Sequence, residues 1–307
     1  MTSTADPGSA SAPEGPHELV FDRYGKAETR VVAVDRRAPR HVLRDLTVSS
    51  ALRGGFAGAY TAGDNSAVLP TDSQKNAVYG LAREHGIGEP EDFALLLGRH
   101  LLDAAAAATT AEVAVEEHPW QRIGDHDHAF ARDGGLVRTA RLVLRRDGGT
   151  LQGGLRDLVL LKSTGSEYHG FATDRFTTLP ETTDRVLATS VTATWTCADG
   201  AVPLDGPSGW DHGALFAGVR DALVTAFADL HSLALQQTLH AMAAAVLDAH
   251  EQVESVSLVL PNRHHLLVDL SAFGMDNPGT VFNATDRPYG LIEGTVSRAS
   301  ARHRADG

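Results

Sequence analysis

The stretch Leu136 to Lys162, LVRTARLVLRRDGGTLQGGLRDLVLLK, decides the fold. Leu136–Arg146 and Leu151–Lys162 read as two strands, and Asp147-Gly148-Gly149 between them is a hairpin signal, since glycine supplies the positive φ that a tight turn needs. Working downstream, an irregular segment leads to a strand at Arg185–Thr196. Two helices follow, one carrying Leu215, Val219, Leu223, Phe227 and Leu230, the other Leu235, Leu239, Met242 and Val246 at helical spacing. Period-two strands at Val253–Leu260 and His265–Leu270 close the unit. Upstream of the turn Asp133-Gly134-Gly135 the same order is expected. Strands at His17–Val34 and His41–Ser50 precede two helices, the first beginning near Asp72, a candidate cap, and the second spanning Glu91–Asp103. Two more strands follow, one around Val113 and Val115 and one beginning near His126–Arg132. A strand pair, two helices and a strand pair, occurring twice, predict an α+β chain of two similar domains, residues 17–134 and 135–298. Their antiparallel sheets carry helices on one face, and residues 1–16 and 299–307 are tails. There is no residue-level repeat, so the duplication rests on element order.

With 307 residues and 42% hydrophobic content, the chain can bury a full core. Its formal charge of −12 and the absence of a basic block argue against nucleic acid and anionic membranes as partners. No apolar run approaches a membrane span and the N-terminus lacks a leader pattern, so the expected location is cytoplasmic. A single cysteine, Cys197, excludes an intramolecular disulfide framework and a Cys-cluster zinc site.

Only three of the 27 basic residues are lysines, Lys26, Lys75 and Lys162. Arginine stays protonated whereas lysine can lose its proton, so a lysine retained in an arginine-biased chain is a candidate for proton chemistry. The run DHDH, Asp125 to His128, invites a metal reading, but strand alternation would place both histidines on one face and both aspartates on the other. His264 and His265 follow Pro261-Asn262-Arg263 at a strand start, and at most one of two adjacent strand residues enters a given site. The run Leu160–Thr189, dense in Ser, Thr and charge with Tyr168, Phe171 and Phe176, reads as an ordered polar loop able to offer a stacking ring and an arginine to a planar ligand. No phosphate loop, nucleophile elbow or zinc-protease helix is present.

That last run, LLKSTGSEYHGF with TTL and ETTDRVLAT, resembles the most distinctive segment of the urate oxidase (uricase) family. YGKAE, TDSQKN, DHDHAF, SLALQQT, LPNRHH and DRPYGLIE agree with the family in the same order, over roughly His17 to Arg298. The resemblance implies the tunnelling fold (T-fold): two ββααββ-like units per chain, assembled as a homotetrameric barrel with active sites between subunits. It implies a cofactor-independent enzyme that converts urate, O2 and water to 5-hydroxyisourate and hydrogen peroxide in purine degradation. By position, Lys26, Thr71 and His264 match the catalytic residues, and Thr71 and Asp72 the substrate-binding helix start. Tyr168 takes the stacking position, Arg185 and Gln236 the two edges of urate, Leu179 and Leu235 the pocket lining, and Asn262 the oxygen or water site.

Those residue types suit the ligand. Urate is a flat anion with alternating N–H and C=O groups, which guanidinium and carboxamide forks read bidentately. Urate itself donates electrons to O2, so the resemblance implies no flavin or metal. Three features depart from the family pattern: Tyr168 stands where phenylalanine is common, His265 where some relatives have tyrosine, and RHRADG lacks a peroxisomal address. The competing readings are a metal-dependent T-fold pterin or purine hydrolase using the DHDH histidines, and a non-catalytic purine-binding protein.

Overall fold

A computed structural model describes residues 17–132, 134–202 and 209–299. The expected tail 1–16, all of the expected tail 299–307 but Ala299, and Asp133 of the expected boundary turn lie outside the described residues. In chain order the elements are β1 (Tyr24–Asp35), β2 (Val42–Gly54), the short α1 (Ala57–Thr61), α2 (Thr71–His85) and α3 (Pro90–Ala104). Next come β3 (Ala108–Glu117), β4 (Trp120–Arg122), β5 (Phe130–Arg132), β6 (Val137–Arg145) and β7 (Gly148–Lys162). The last are β8 (Leu187–Val202), α4 (His212–Asp229), α5 (Leu235–Ala249), β9 (Val253–Leu267) and β10 (Phe282–Ser297). Eight strands form one antiparallel sheet in the order β1-β2-β3-β6-β7-β8-β9-β10, and β4 and β5 make a separate pair.

The four long helices cover one face because strand alternation delivers apolar side chains there. Leu46, Val48 and Leu52 of β2 meet Phe93, Leu97 and Leu101 of α3 in a first core that also takes Ala140, Leu142 and Leu144 of β6 and Leu151 of β7. A second core begins at Leu155 of the same strand and joins Val191 and Ala193 of β8 to α4, α5 and β9. Burial of each such large side chain contributes roughly 1.5–3 kcal/mol. Local chemistry starts the helices: Pro90 opens α3 with Glu91 and Asp92 in its first turn, and the Asp211 carboxylate accepts from the Ala214 amide at 2.9 Å to cap α4. The opposite sheet face is polar, with Glu28, Arg30, Thr47, Ser49, Glu116 and His118 lining a cavity of about 400 Å³.

The two helical layers meet at a buried charge cluster. Arg138 of β6 donates to Glu89 and Glu91 and to the His212 carbonyl at the start of α4, while Arg44 of β2 donates to Glu89 and Glu117. Three carboxylates thus share two guanidiniums. Burial pushes the Glu91 carboxyl up to about 7, against the lowering effect of Arg138.

Three expectations need correction. DHDH is not in a strand: Gly124 at φ 51 starts a turn between β4 and β5, and Arg122 holds the carbonyls of His126 and Asp127. The main-sheet strand beside β3 is therefore β6, not the segment near His126–Arg132, which supplies only the short β5. The closing strands Val253–Leu260 and His265–Leu270 are replaced by one strand, β9, which ends at Leu267 and runs through Pro261 because β8 and β10 pair with it on both sides. Its partner β10, interrupted in sequence by Pro288, Gly290 and Gly294, carried no period-two signal. Its register shifts between Thr285 and Gly290, where DRPY sits.

Candidate active site

The first group of site residues forms where β1 meets α2. Lys26 lies opposite Ser50, and the register then slips by one residue, so that Thr29 lies opposite Val48 with Glu28, at φ 57, as the extra residue. Such a bulge re-aims side chains. It lets Tyr24 and Lys26 on one side of the bulge, and Thr29 and Val31 on the other, share the helix-facing side. Tyr24 packs edge-on against Phe56 at 4.8 Å, and Ser50 donates to the buried Gln74 of α2 at 2.9 Å. Thr71 and Asp72 are the first two residues of α2. Asp72 does not cap it; Pro70 holds that position, and the Asp72 carboxylate turns along the helix to accept from Lys75 and Asn76. Its carboxyl is held below the ordinary value by Lys75 first, then Asn76, with the Lys26 charge adding.

The second group surrounds the loop between β7 and β8. Ser166 bridges Ser232 in parallel fashion, which joins this loop to the turn before α5. Tyr168 and Thr182 exchange backbone hydrogen bonds at 2.8 and 3.0 Å, and the Arg185 amide donates to the Ser166 carbonyl at 2.8 Å. The Arg185 guanidinium lies over the Tyr168 ring, 5.2 Å from its centroid, and Phe171 stacks on the same tyrosine at 5.0 Å. Among the described residues Arg185 makes no ion pair, and its burial lowers its pKa. A half-buried cation over a ring, with no ion pair among the described residues, has the chemistry to take a flat anion. Gln236, exposed in the first turn of α5, follows the bridged turn directly. Asn262 of β9 lies opposite Thr189 of β8, and His264 lies two residues further along the same face, opposite Thr285 of β10.

Two residues expected to line the pocket are placed differently from one another. Leu235 is 2% exposed and belongs to the second core, whereas Leu179 is 57% exposed on the loop. Sequence reading also passed over several residues that build the site: Ser50 and Gln74 behind Lys26, and Ser166, Glu167, His231 and Ser232 behind Arg185. Ser166 and Glu167 stand in the quoted loop and Ser232 in SLALQQT, but nothing in their types marks them as structural. The other two lysines have evident work. Lys75 pairs with Asp72, and Lys162 donates to the Leu230 carbonyl, capping the C-terminus of α4 while lying 5.6 Å from the centre of the Phe227 ring.

One chain does not unite the two groups. β1 and β9 are six strand spacings apart, roughly 30 Å along the sheet. Lys26, Thr71 and Asp72 belong to the group at β1 and α2, and Tyr168, Arg185, Gln236, Asn262 and His264 to the group at the other end of the sheet. As for the DHDH reading, among the described residues there is no cluster of three or more His, Cys, Asp or Glu arranged to hold a metal. No helix among them is long and apolar enough to cross a membrane.

The family model described as Uricase matches residues 22–143 and 151–293. A uricase of Arthrobacter globiformis is 47% identical over 302 residues, covering 98% of this chain and 96% of the relative, and one of Dictyostelium discoideum is 35% identical over 92% and 99%. The crystal structure of the Arthrobacter globiformis uricase superposes with a TM-score of 0.86, covering 92% of this chain and 96% of that one. The expected T-fold architecture holds, and the comparisons lend nothing to a metal-dependent hydrolase or a purine-binding protein without turnover. Matched along almost its whole length, in sequence and in fold, the chain belongs to the uricase family.

Proposed function

We infer that the chain catalyses the oxidation of urate by O2, with water, to 5-hydroxyisourate and hydrogen peroxide, as a step in purine degradation. Beyond family membership, the observation that carries this reading is Arg185: a partly buried guanidinium over the Tyr168 ring with no ion-pair partner among the described residues. A stacked purine anion gives it the missing counter-charge. Arg185 reads one edge of urate and Gln236 the other, while Tyr168 sets the plane. Lys26 with Thr71 forms the base system that removes a proton from bound urate, and the backbone at Thr71 and Asp72 holds the substrate at the helix start. Two electrons pass from urate to O2, which leaves as peroxide with two protons. Water positioned by Asn262 and His264 adds to the oxidised ring at C5. Urate supplies the electrons, so the reading needs no resident cofactor or metal.

The separation of the half-sites supports active sites shared between subunits of a homotetramer, the Lys26 half of one chain facing the Arg185 half of another. The unpaired edges of β1 and β10 are the natural seams for closing sheets into a barrel, and the polar helix-free face suits a water-filled tunnel. We also read the chain as two ββααββ units. The first core's use of β6 supports a joint in the β6–β7 hairpin over one at the turn 133–135. A cytoplasmic location goes with this reading. The test mixes purified, metal-stripped protein with urate in air and follows urate's ultraviolet absorbance together with peroxide release. Equimolar loss of urate and formation of peroxide is expected; no loss of urate sinks the assignment.

A further inference from the structure

Glu167 stands between Ser166 and Tyr168, and its carboxylate spans two segments. One oxygen meets His231 Nε2 of the α4–α5 turn at 2.5 Å, and the other meets His169 Nε2 of its own loop at 2.8 Å. The Glu167 amide donates to the Ser232 carbonyl at 2.7 Å, and the Ser232 amide to the Gly165 carbonyl at 3.0 Å. The His231 contact first, and His169 next, hold the carboxyl below its ordinary value. The backbone bonds fix the loop at Gly165 to Glu167 and the turn at Ser232. Tyr168, one residue beyond them, exchanges backbone hydrogen bonds with Thr182 and packs against Phe171 and Arg185, all on its own side of the site. The side-chain bridge therefore adds a second tether between the wall bearing Tyr168 and Arg185 and the turn that leads, four residues later, into Gln236.

We propose that Glu167 is a positioning residue for the purine anion, its carboxylate clamped between His231 and His169 to set the span from the Arg185–Tyr168 wall to Gln236. This rests on the functional reading above. Glu167 does not touch the substrate in this scheme. Two imidazole donors also occupy a negative charge that would otherwise lie beside an anion site.

Bidentate recognition from two walls depends on their spacing, so the effect falls on binding more than on the chemical step. Steady-state urate oxidation is to be compared with equilibrium urate binding under anaerobic conditions for wild type, Glu167→Ala, His231→Ala and His231→Gln. Both alanine variants should raise KM and the urate Kd about tenfold with kcat within twofold. His231→Gln, which restores an N–H donor near the lost Nε2, should recover most of the affinity. Unchanged KM and Kd in both alanine variants overturns the clamp, as does a His231→Gln variant no better than His231→Ala. Should Glu167→Ala fail to fold, the His231 pair decides alone. A wild type that binds urate without consuming it overturns the functional reading, while the Kd series still tests the clamp.

Discussion

The two halves of the chain place the same backbone device under opposite chemistry. In β1 the register slips between Lys26 and Thr29 with Glu28 at φ 57; in β7 it slips between Leu155 and Leu158 with Asp157 at φ 62. Lys26 lies opposite Ser50, and Leu155 opposite Ala193. The fourth residue of the covering helix is Gln74 in α2 and Leu215 in α4. One trio is therefore Lys26, Ser50 and Gln74, the other Leu155, Ala193 and Leu215, with 0%, 0% and 3% exposure. The apolar trio belongs to the second core. The polar trio weakens the core: Gln74 is fully buried and its Nε2 has no partner among the described residues, which costs about 1–3 kcal/mol. The duplicated bulge is thus a structural joint in one half and a seat for a lysine in the other.

The comparison breaks most sharply if its halves are exchanged. Leu155→Lys puts an unpaired ammonium into the second core and should cost about 5 kcal/mol or prevent folding. A urea midpoint equal to wild type would show that the second bulge is not a core position. Lys26→Leu, the reverse exchange, should leave that midpoint nearly unchanged but lower urate turnover by about 10²- to 10⁴-fold. Full turnover would remove Lys26 from the base system.

At the seam between the halves, Glu91 titrates with stability. Its carboxyl is raised from 4.5 to about 7 on folding, so the folded state holds the proton more tightly than the unfolded chain. Its contribution is complete below about pH 4.5 and is lost as pH rises through about 7. Glu91→Gln should therefore leave stability little changed near pH 5 and raise it at pH 8 by about 2 kcal/mol, read from denaturation midpoints across that range. A pH slope identical to wild type would mean that Glu91 is ionised throughout.

The smallest effect is the sharpest test of why the polar trio exists. The pair Ser50→Ala with Gln74→Leu copies the second half into the first, removing both hydrogen-bonding partners together. Stability should hold or rise by about 1 kcal/mol, while turnover falls several-fold as Lys26 loses its polar backing. A double variant with wild-type turnover would reduce Ser50 and Gln74 to packing.

Much of this was legible in residues alone. The hairpin Leu136–Lys162, the helices around Leu97 and Leu239, and the β2 strand follow from local periodicity and turn chemistry, and they appear within a few residues of expectation. β10 and the unbroken β9 did not, because Pro261, Pro288 and Gly290 read as breakers until pairing across the sheet holds them in strands. DHDH misled for the converse reason: its alternation looks like a strand, but Gly124 and Arg122 make it a turn.

Sequence by itself determined the family, the element types and the identity of the candidate site residues, because motif identity and local periodicity are short-range properties. Only the tertiary structure decided which of those residues share a wall, that Lys26 and Arg185 lie far apart along the sheet, and that Glu167 ties the Tyr168 loop to the turn before Gln236. Those facts depend on strand order, on a one-residue register slip and on contacts such as that of Glu167 with His231, 64 residues apart. No local pattern encodes them.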